Sequence, residues 1–177
     1  MIPGHDPSLG ERMNAREVIA ANPFFAEVLG DADIERLAKW AHVVEKPAGQ
    51  DLIVEDEAGT SLFIIVSGEV DVLAGEGKRS KRIARLGPGA IVGEMSLMTG
   101  AQRSATVRAV TALRALEVSD AALAPIVTAS PDLVDRFAAV LKKRQAELDR
   151  AYGDGAFSLL DQGGFASLIR GFFGRSI

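Results

Sequence analysis

Apolar and polar positions along the chain fall into three regimes. From Asn14 to Leu29, the residues Val18, Ile19, Phe24, Phe25, Val28 and Leu29 predict a short helix, a break at Pro23 and a tucked aromatic turn. Asp31 suits the N-cap of a second helix over 32–40, with Ile34, Leu37 and Ala41 on one face. Between Val43 and Val118 the pattern changes to short β-prone runs over 42–46, 51–54, 62–67, 69–74, 81–86, 89–92, 103–109 and 112–118. Glycines 49, 59, 68, 75, 77, 87, 89 and 100 punctuate them. Eight short strands at near-regular spacing predict a sandwich, barrel or jelly roll.

After Val118 the helical pattern returns. Ser119 can cap a helix over 120–128, and Ser130-Pro131 reads as an N-cap followed by proline at the first helical position. That last long helix runs to about Tyr152, with Leu133, Phe137, Val140, Leu141 and Leu148 as its apolar stripe. Beyond Gly153-Asp154-Gly155 lies a glycine-broken tail, whose Phe165, Leu168, Ile169, Phe172 and Phe173 line one side of a final short helix. The expected division is a loose leader at 1–12, a helical segment at 13–41, a β-rich domain with its helices at 42–152, and the tail at 153–177. The fold class is α+β, an eight-stranded antiparallel β-roll or jelly roll flanked by N-terminal helices and C-terminal lid helices.

Composition narrows the chemistry. The chain has 177 residues, 47% of them apolar, enough to bury a core without disulfide or metal. With no cysteine and only His5 and His42, neither thiol catalysis nor a usual metal site can be assembled, and no serine–histidine constellation is visible. An enzyme is therefore not expected, and no metal is. A formal net charge of −4 argues against a broad electrostatic grip on nucleic acid. The exposed-looking cluster Lys78, Arg79, Lys81 and Arg82 reads as a solvated hairpin tip. No run is long and apolar enough for a membrane span, and the first residues lack the pattern of a signal peptide. The expectation is a cytoplasmic location, either free-standing or as the cytoplasmic part of an inner-membrane protein.

One stretch concentrates ligand chemistry, Gly93-Glu94-Met95-Ser96-Leu97-Met98-Thr99-Gly100-Ala101-Gln102-Arg103-Ser104-Ala105-Thr106. A one-turn helix preceded by glycine offers unpaired N–H groups and a positive dipole end, which suit an anion. Arg103 adds a cationic fork that matches phosphate oxygens. Glu94 is badly placed for an anion alone but fits one that carries a neighbouring hydroxyl, such as a ribose. The stretch reads as a pocket for a nucleotide with one exposed phosphate charge. The bland alternative is a surface turn closed by a salt bridge.

The residues Gly93–Met98 and Arg103-Ser104-Ala105-Thr106-Val107 resemble the phosphate-binding cassette of the cyclic-nucleotide-binding domain family. Ala48–Ile53, Phe63–Val70 and Leu86-Gly87-Pro88-Gly89 are similar to its upstream strands and turns, so the resemblance covers about residues 15–150. It implies that Glu94 binds the ribose 2′-hydroxyl, Arg103 the equatorial phosphate oxygen, and the N–H groups of Met95 and Ser96 the phosphate. Ser104 would meet the phosphate or the purine edge, which leaves cGMP open beside the preferred cAMP. Val92 departs from the aromatic residue that usually precedes Gly-Glu, a difference in packing under the cassette. The nine-residue spacing from Glu94 to Arg103 resembles kinase regulatory subunits and nucleotide-gated channels more than catabolite-activator regulators.

Arg144 lies on the apolar stripe between Leu141 and Leu148, where a hydrophobe would fit the pattern. It either snorkels to water or acts as a lid contact stacked over the purine, with Lys143 and Val140 as lesser candidates. Glu69, between two strands, reads as solvent-exposed. The implied function is a cAMP or cGMP sensor that closes its C-terminal helix over the ligand, belonging to a signalling protein. Its expected partners are the nucleotide, a second copy through the helical segments, or a channel domain outside this sequence. The 25 residues after Tyr152, rich in glycine, leave no room for a DNA-reading helix-turn-helix. The other reading is a scaffold with the fold but no ligand. The tail has three destinations: its own domain, another subunit, or a membrane or further domain, with Arg170 as the only cation of its helix.

Overall fold

The computed structural model describes residues 15–75, 77–152 and the tail positions Ile169 and Phe173. The expected leader at 1–12 and the tail residues Phe165, Leu168 and Phe172 lie outside the described residues. Helix α1 is described over 15–21, followed by α2 (Pro23–Ala26) and α3 (Asp31–Trp40). Asn22 creates the break between α1 and α2: its carboxamide oxygen accepts from the Phe24 N–H at 3.0 Å, and Pro23 occupies the first helical position. Asp31 is not the cap of α3. Gly30 takes that place without a side-chain hydrogen bond, and Asp31 and Asp33 instead lie in the first turn, where their charge suits the helix dipole.

Eight strands follow: β1 (His42–Lys46), β2 (Asp51–Ile53), β3 (Ser61–Ser67), β4 (Val70–Ala74), β5 (Lys81–Leu86), β6 (Ile91–Val92), β7 (Thr106–Ala109) and β8 (Leu113–Ser119). They form two four-stranded antiparallel sheets, ordered β1-β8-β3-β6 and β2-β7-β4-β5. Helix α4 (Glu94–Thr99) interrupts the roll between β6 and β7, and α5 (Asp120–Ala129) and α6 (Pro131–Tyr152) close it. Ser119 caps α5, its hydroxyl accepting from the Ala122 N–H at 3.2 Å.

The continuous apolar run of β3 has a simple cause. Leu62 and Ile64 face a core shared with the helices, while Phe63 and Ile65 face the second sheet, so both faces are buried. The second sheet is covered on one face only. Its outer face carries a cross-strand row, Asp51–Arg108–Asp71–Arg85, in which Arg108 and Arg85 reach the Asp51 and Asp71 carboxylates at 2.7 Å. Arg85 holds the Asp71 carboxyl below its ordinary pKa. These pairs are exposed and give the face register more than stability.

In the helical core, Phe137 of α6 packs on Phe24 with a tilted ring at 5.6 Å and meets Phe25 edge-on at 6.5 Å between ring centres. Leu133 and Leu141 of the expected stripe are buried beside it, as are Ile169 and Phe173 of the tail. The two described tail positions thus pack on the chain's own core. Among the described residues no helix is long and apolar enough to cross a membrane.

Candidate functional site

A cavity of about 620 Å³ opens between the second sheet, α4, α6 and the turn from α1 into α2. Gly93, Glu94, Met95, Ser96, Arg103, Ser104, Ala105 and Arg144 all line it, so the residues singled out from sequence meet in one place. Val72, Ala84, Leu86 and Val107 supply an apolar floor, and Val92 pairs with Phe63 beneath the cassette.

Gly93 caps α4 with φ +81°, a conformation that L side chains rarely adopt. A Cβ there would also come within 2.5 Å of an Arg103 terminal nitrogen. No side chain caps α4, so its first N–H groups, on Glu94, Met95 and Ser96, are left to the cavity lining. The Ser96 hydroxyl donates to the Gln102 carbonyl at 3.3 Å, and the Thr99 hydroxyl to Met95 at 2.6 Å. The first bond ties the short helix to the loop that carries Arg103; the second lies within the helix.

Arg103 is a buried cation. Its guanidinium donates to the carbonyls of Gly93 at 3.0 Å and Ser61 at 2.5 Å, which engages two of its five N–H donors. Burial pulls its pKa below the ordinary arginine value, while the charges of Glu94, Glu117 and Glu57 pull it back up. An arginine still keeps its proton at neutral pH. A buried cation held by backbone carbonyls at the wall of a cavity suits an anion, because it keeps further donors and has little water to compete with.

Glu94 is only 4% exposed. Its carboxylate accepts from Arg144 Nε, and Arg144 Nη2 donates to the Ile91 carbonyl at 2.7 Å. Arg144 therefore neither snorkels freely nor stands apart from the cassette: it crosses from α6 and holds the acidic residue. Val140, Lys143 and Glu147 share its helix face and line the cavity as well. Lys143 also reaches Glu27 at 3.7 Å, across the rim.

Several contributions were not visible in the sequence. Asn22, Pro23, Phe24 and Glu27 line the cavity from the N-terminal side, and the Asn22 side chain donates to the Gly89 carbonyl at 3.2 Å. The Asn-Pro pair signals a helix start, but nothing local signals a pocket wall. Glu69 and the hairpin tip residues Lys78, Arg79, Lys81 and Arg82 are exposed, away from the cavity lining. Among the described residues, no group of His, Asp and Glu could hold a metal ion.

Residues 43–130 match the family described as cyclic nucleotide-binding domain. A cyclic nucleotide-gated potassium channel of Mesorhizobium japonicum is 31% identical over 72% of this chain and 34% of its own length. The cAMP-activated global transcriptional regulator of Escherichia coli is 30% identical over 73% of this chain and 65% of its own. The chain thus spans less than two thirds of either relative. A solved cyclic nucleotide-binding domain from Methylobacillus flagellatus superposes with a TM-score of 0.63 at 26% identity, covering 84% of this chain and 86% of that one.

Proposed function

Through residues 43–130 the chain belongs to the cyclic nucleotide-binding domain family, and from that premise we propose that it binds cAMP in preference to cGMP as the sensory module of a signalling protein. The observation that carries this reading is the meeting of Glu94, Arg103 and an arginine of α6 in one cavity. Arg103 takes the cyclic phosphate with its remaining donors, joined by the N–H groups of Met95 and Ser96. Glu94 accepts the ribose hydroxyl, and the base lies toward α6. The preference for cAMP draws on the cAMP-activated relative, and Ser104 leaves cGMP as the weaker ligand. The site binds and does not transform: the reading is of a sensor, with nucleic acid not among its partners given the net charge of −4.

The switch lies in α6. A ligand that touches both the cassette and this helix binds their docked arrangement more tightly and so shifts the population toward it. Arg144 is the physical link, because it bonds the residue that reads the ribose and the strand just before it. Calorimetric titration with cAMP and then cGMP should give saturable binding of both, tighter for cAMP; no heat at millimolar nucleotide rules the reading out. Arg144→Ala should separate binding from response. In hydrogen exchange, cAMP should still protect 93–99 in this variant, but the protection of α6 should fall to that of the free protein. Undiminished protection of α6 would remove Arg144 from the switch.

A further inference from the structure

Gly59 lies against the cassette arginine, and its backbone does not require a glycine. Its φ is outside the left-handed region that reserves a position for this residue. What the site excludes is a side chain. A Cβ built on Gly59 would sit 2.5 Å from Ser96 Cβ and 2.8 Å from both Arg103 Cζ and Nε. Those neighbours cannot swing away cheaply, because Ser96 is fixed on α4 and the Arg103 guanidinium is pinned by the Gly93 and Ser61 carbonyls.

The turn that carries Gly59 is built around the same arginine. The Asp56 N–H donates to the Arg103 carbonyl at 2.9 Å, the Arg103 N–H donates to the Glu57 carbonyl at 2.8 Å, and Ala58 forms a bridge with Gln102. The turn is tight enough that Asp56 adopts φ +67°, a conformation that aspartate tolerates better than most residues. Residues 56–59 thus bond the backbone of Arg103 and border its guanidinium.

On the reading that Arg103 holds the ligand's phosphate, we propose that Gly59 is a positioning residue for anion recognition, acting through Arg103 by leaving room for its guanidinium. It touches no ligand. Its absent side chain lets the turn close on the arginine from one side while the Ser61 and Gly93 carbonyls hold it from the other. A methyl group there pushes the fork off the phosphate and strains two charge-assisted hydrogen bonds.

The test is a double-substitution cycle in the full 177-residue chain, with cAMP binding read by calorimetry and folding read by thermal unfolding. Gly59→Ala should stay folded and weaken cAMP roughly 5- to 10-fold, less than the loss of a whole charged hydrogen bond because the guanidinium is displaced and not removed. Placed on Arg103→Ala, the same change should cost clearly less, only what its contact with Ser96 carries. Equal weakening in both backgrounds, or none in the first, overturns the proposal. A second readout needs no nucleotide. The Arg103 Nε–Hε NMR resonance, assigned by its disappearance in Arg103→Lys, should move in Gly59→Ala more than that of any other arginine. If that resonance stays in place, Gly59 does not position Arg103, whether or not cAMP binds.

Discussion

Arg103→Ala should lower cAMP affinity about 10- to 150-fold, the loss expected for a charged hydrogen bond worth about 1.5–3 kcal/mol. The residue is 7% exposed and already held by two backbone carbonyls, so it needs little reorganisation to meet a phosphate. The substitution also takes the guanidinium donors from the Ser61 and Gly93 carbonyls, of which Gly93 keeps the Leu97 N–H, so a lower unfolding temperature should accompany the weaker binding. Arg103→Lys separates the two roles: charge remains, but the planar fork that spans two carbonyls and an anion is lost. Its affinity should fall between those of the wild type and Arg103→Ala. An unchanged affinity in Arg103→Ala, measured by calorimetry on folded protein, would mean that the phosphate sits elsewhere.

Phe137→Ala should have the largest effect on stability. Phe137 is fully buried and packs on two phenylalanines of the N-terminal segment, on Phe24 with a tilted ring at 5.6 Å and on Phe25 edge-on at 6.5 Å. Truncating such a ring costs about 3–5 kcal/mol through lost transfer free energy and the cavity left behind. For a chain of this size that corresponds to an unfolding temperature lower by roughly 6–20 °C. The ring joins α6 to the segment whose Asn22 and Phe24 line the pocket. The variant should therefore lose nucleotide affinity as well, although no atom of Phe137 lines the cavity. Thermal unfolding followed by circular dichroism checks the first effect; a loss below about 1 kcal/mol would contradict the packing of α6 on the N-terminal helices.

The sequence was most informative where structure is decided locally. The strands at 42–46 and 81–86 were bounded by alternation and by turn residues, and they occur with those bounds. Ser119 and Ser130-Pro131 marked the starts of α5 and α6 by the same local logic. Expected strand 103–109 begins only at Thr106, because the backbone N–H and C=O of Arg103 pair with Glu57 and Asp56 of a turn rather than with a strand. Expected strand 89–92 shortens to Ile91–Val92 for a related reason, since Gly89 is taken up in a turn with φ +89°. The cassette itself was legible because its chemistry lies within fourteen consecutive residues.

What stayed hidden depends on contacts far apart in the chain. Glu94 and Arg144 are fifty residues apart, and their pair follows from how α6 lies over the roll. Gly59 was visible only as turn punctuation; its fit against Arg103 needs the turn to fold back across the cassette loop. The wall contributed by Asn22, Pro23, Phe24 and Glu27 comes from a segment whose own pattern predicts a short helix, a break at Pro23 and a tucked aromatic turn, with no mark of a pocket. Periodicity reveals which face of an element is buried. It does not reveal what the buried face meets.

The most direct measurement of the central claim follows backbone amide resonances of the 177-residue chain during a cAMP titration by NMR. The amides of Glu94, Met95, Ser96 and Arg103 should shift together with the Arg144 side chain, along one saturable curve that fits a single site. Amides of the exposed hairpin tip at 78–82 should stay in place. The absence of saturable shifts in the cassette at millimolar cAMP, or saturation confined to other residues, would contradict a cyclic nucleotide pocket built on Glu94 and Arg103.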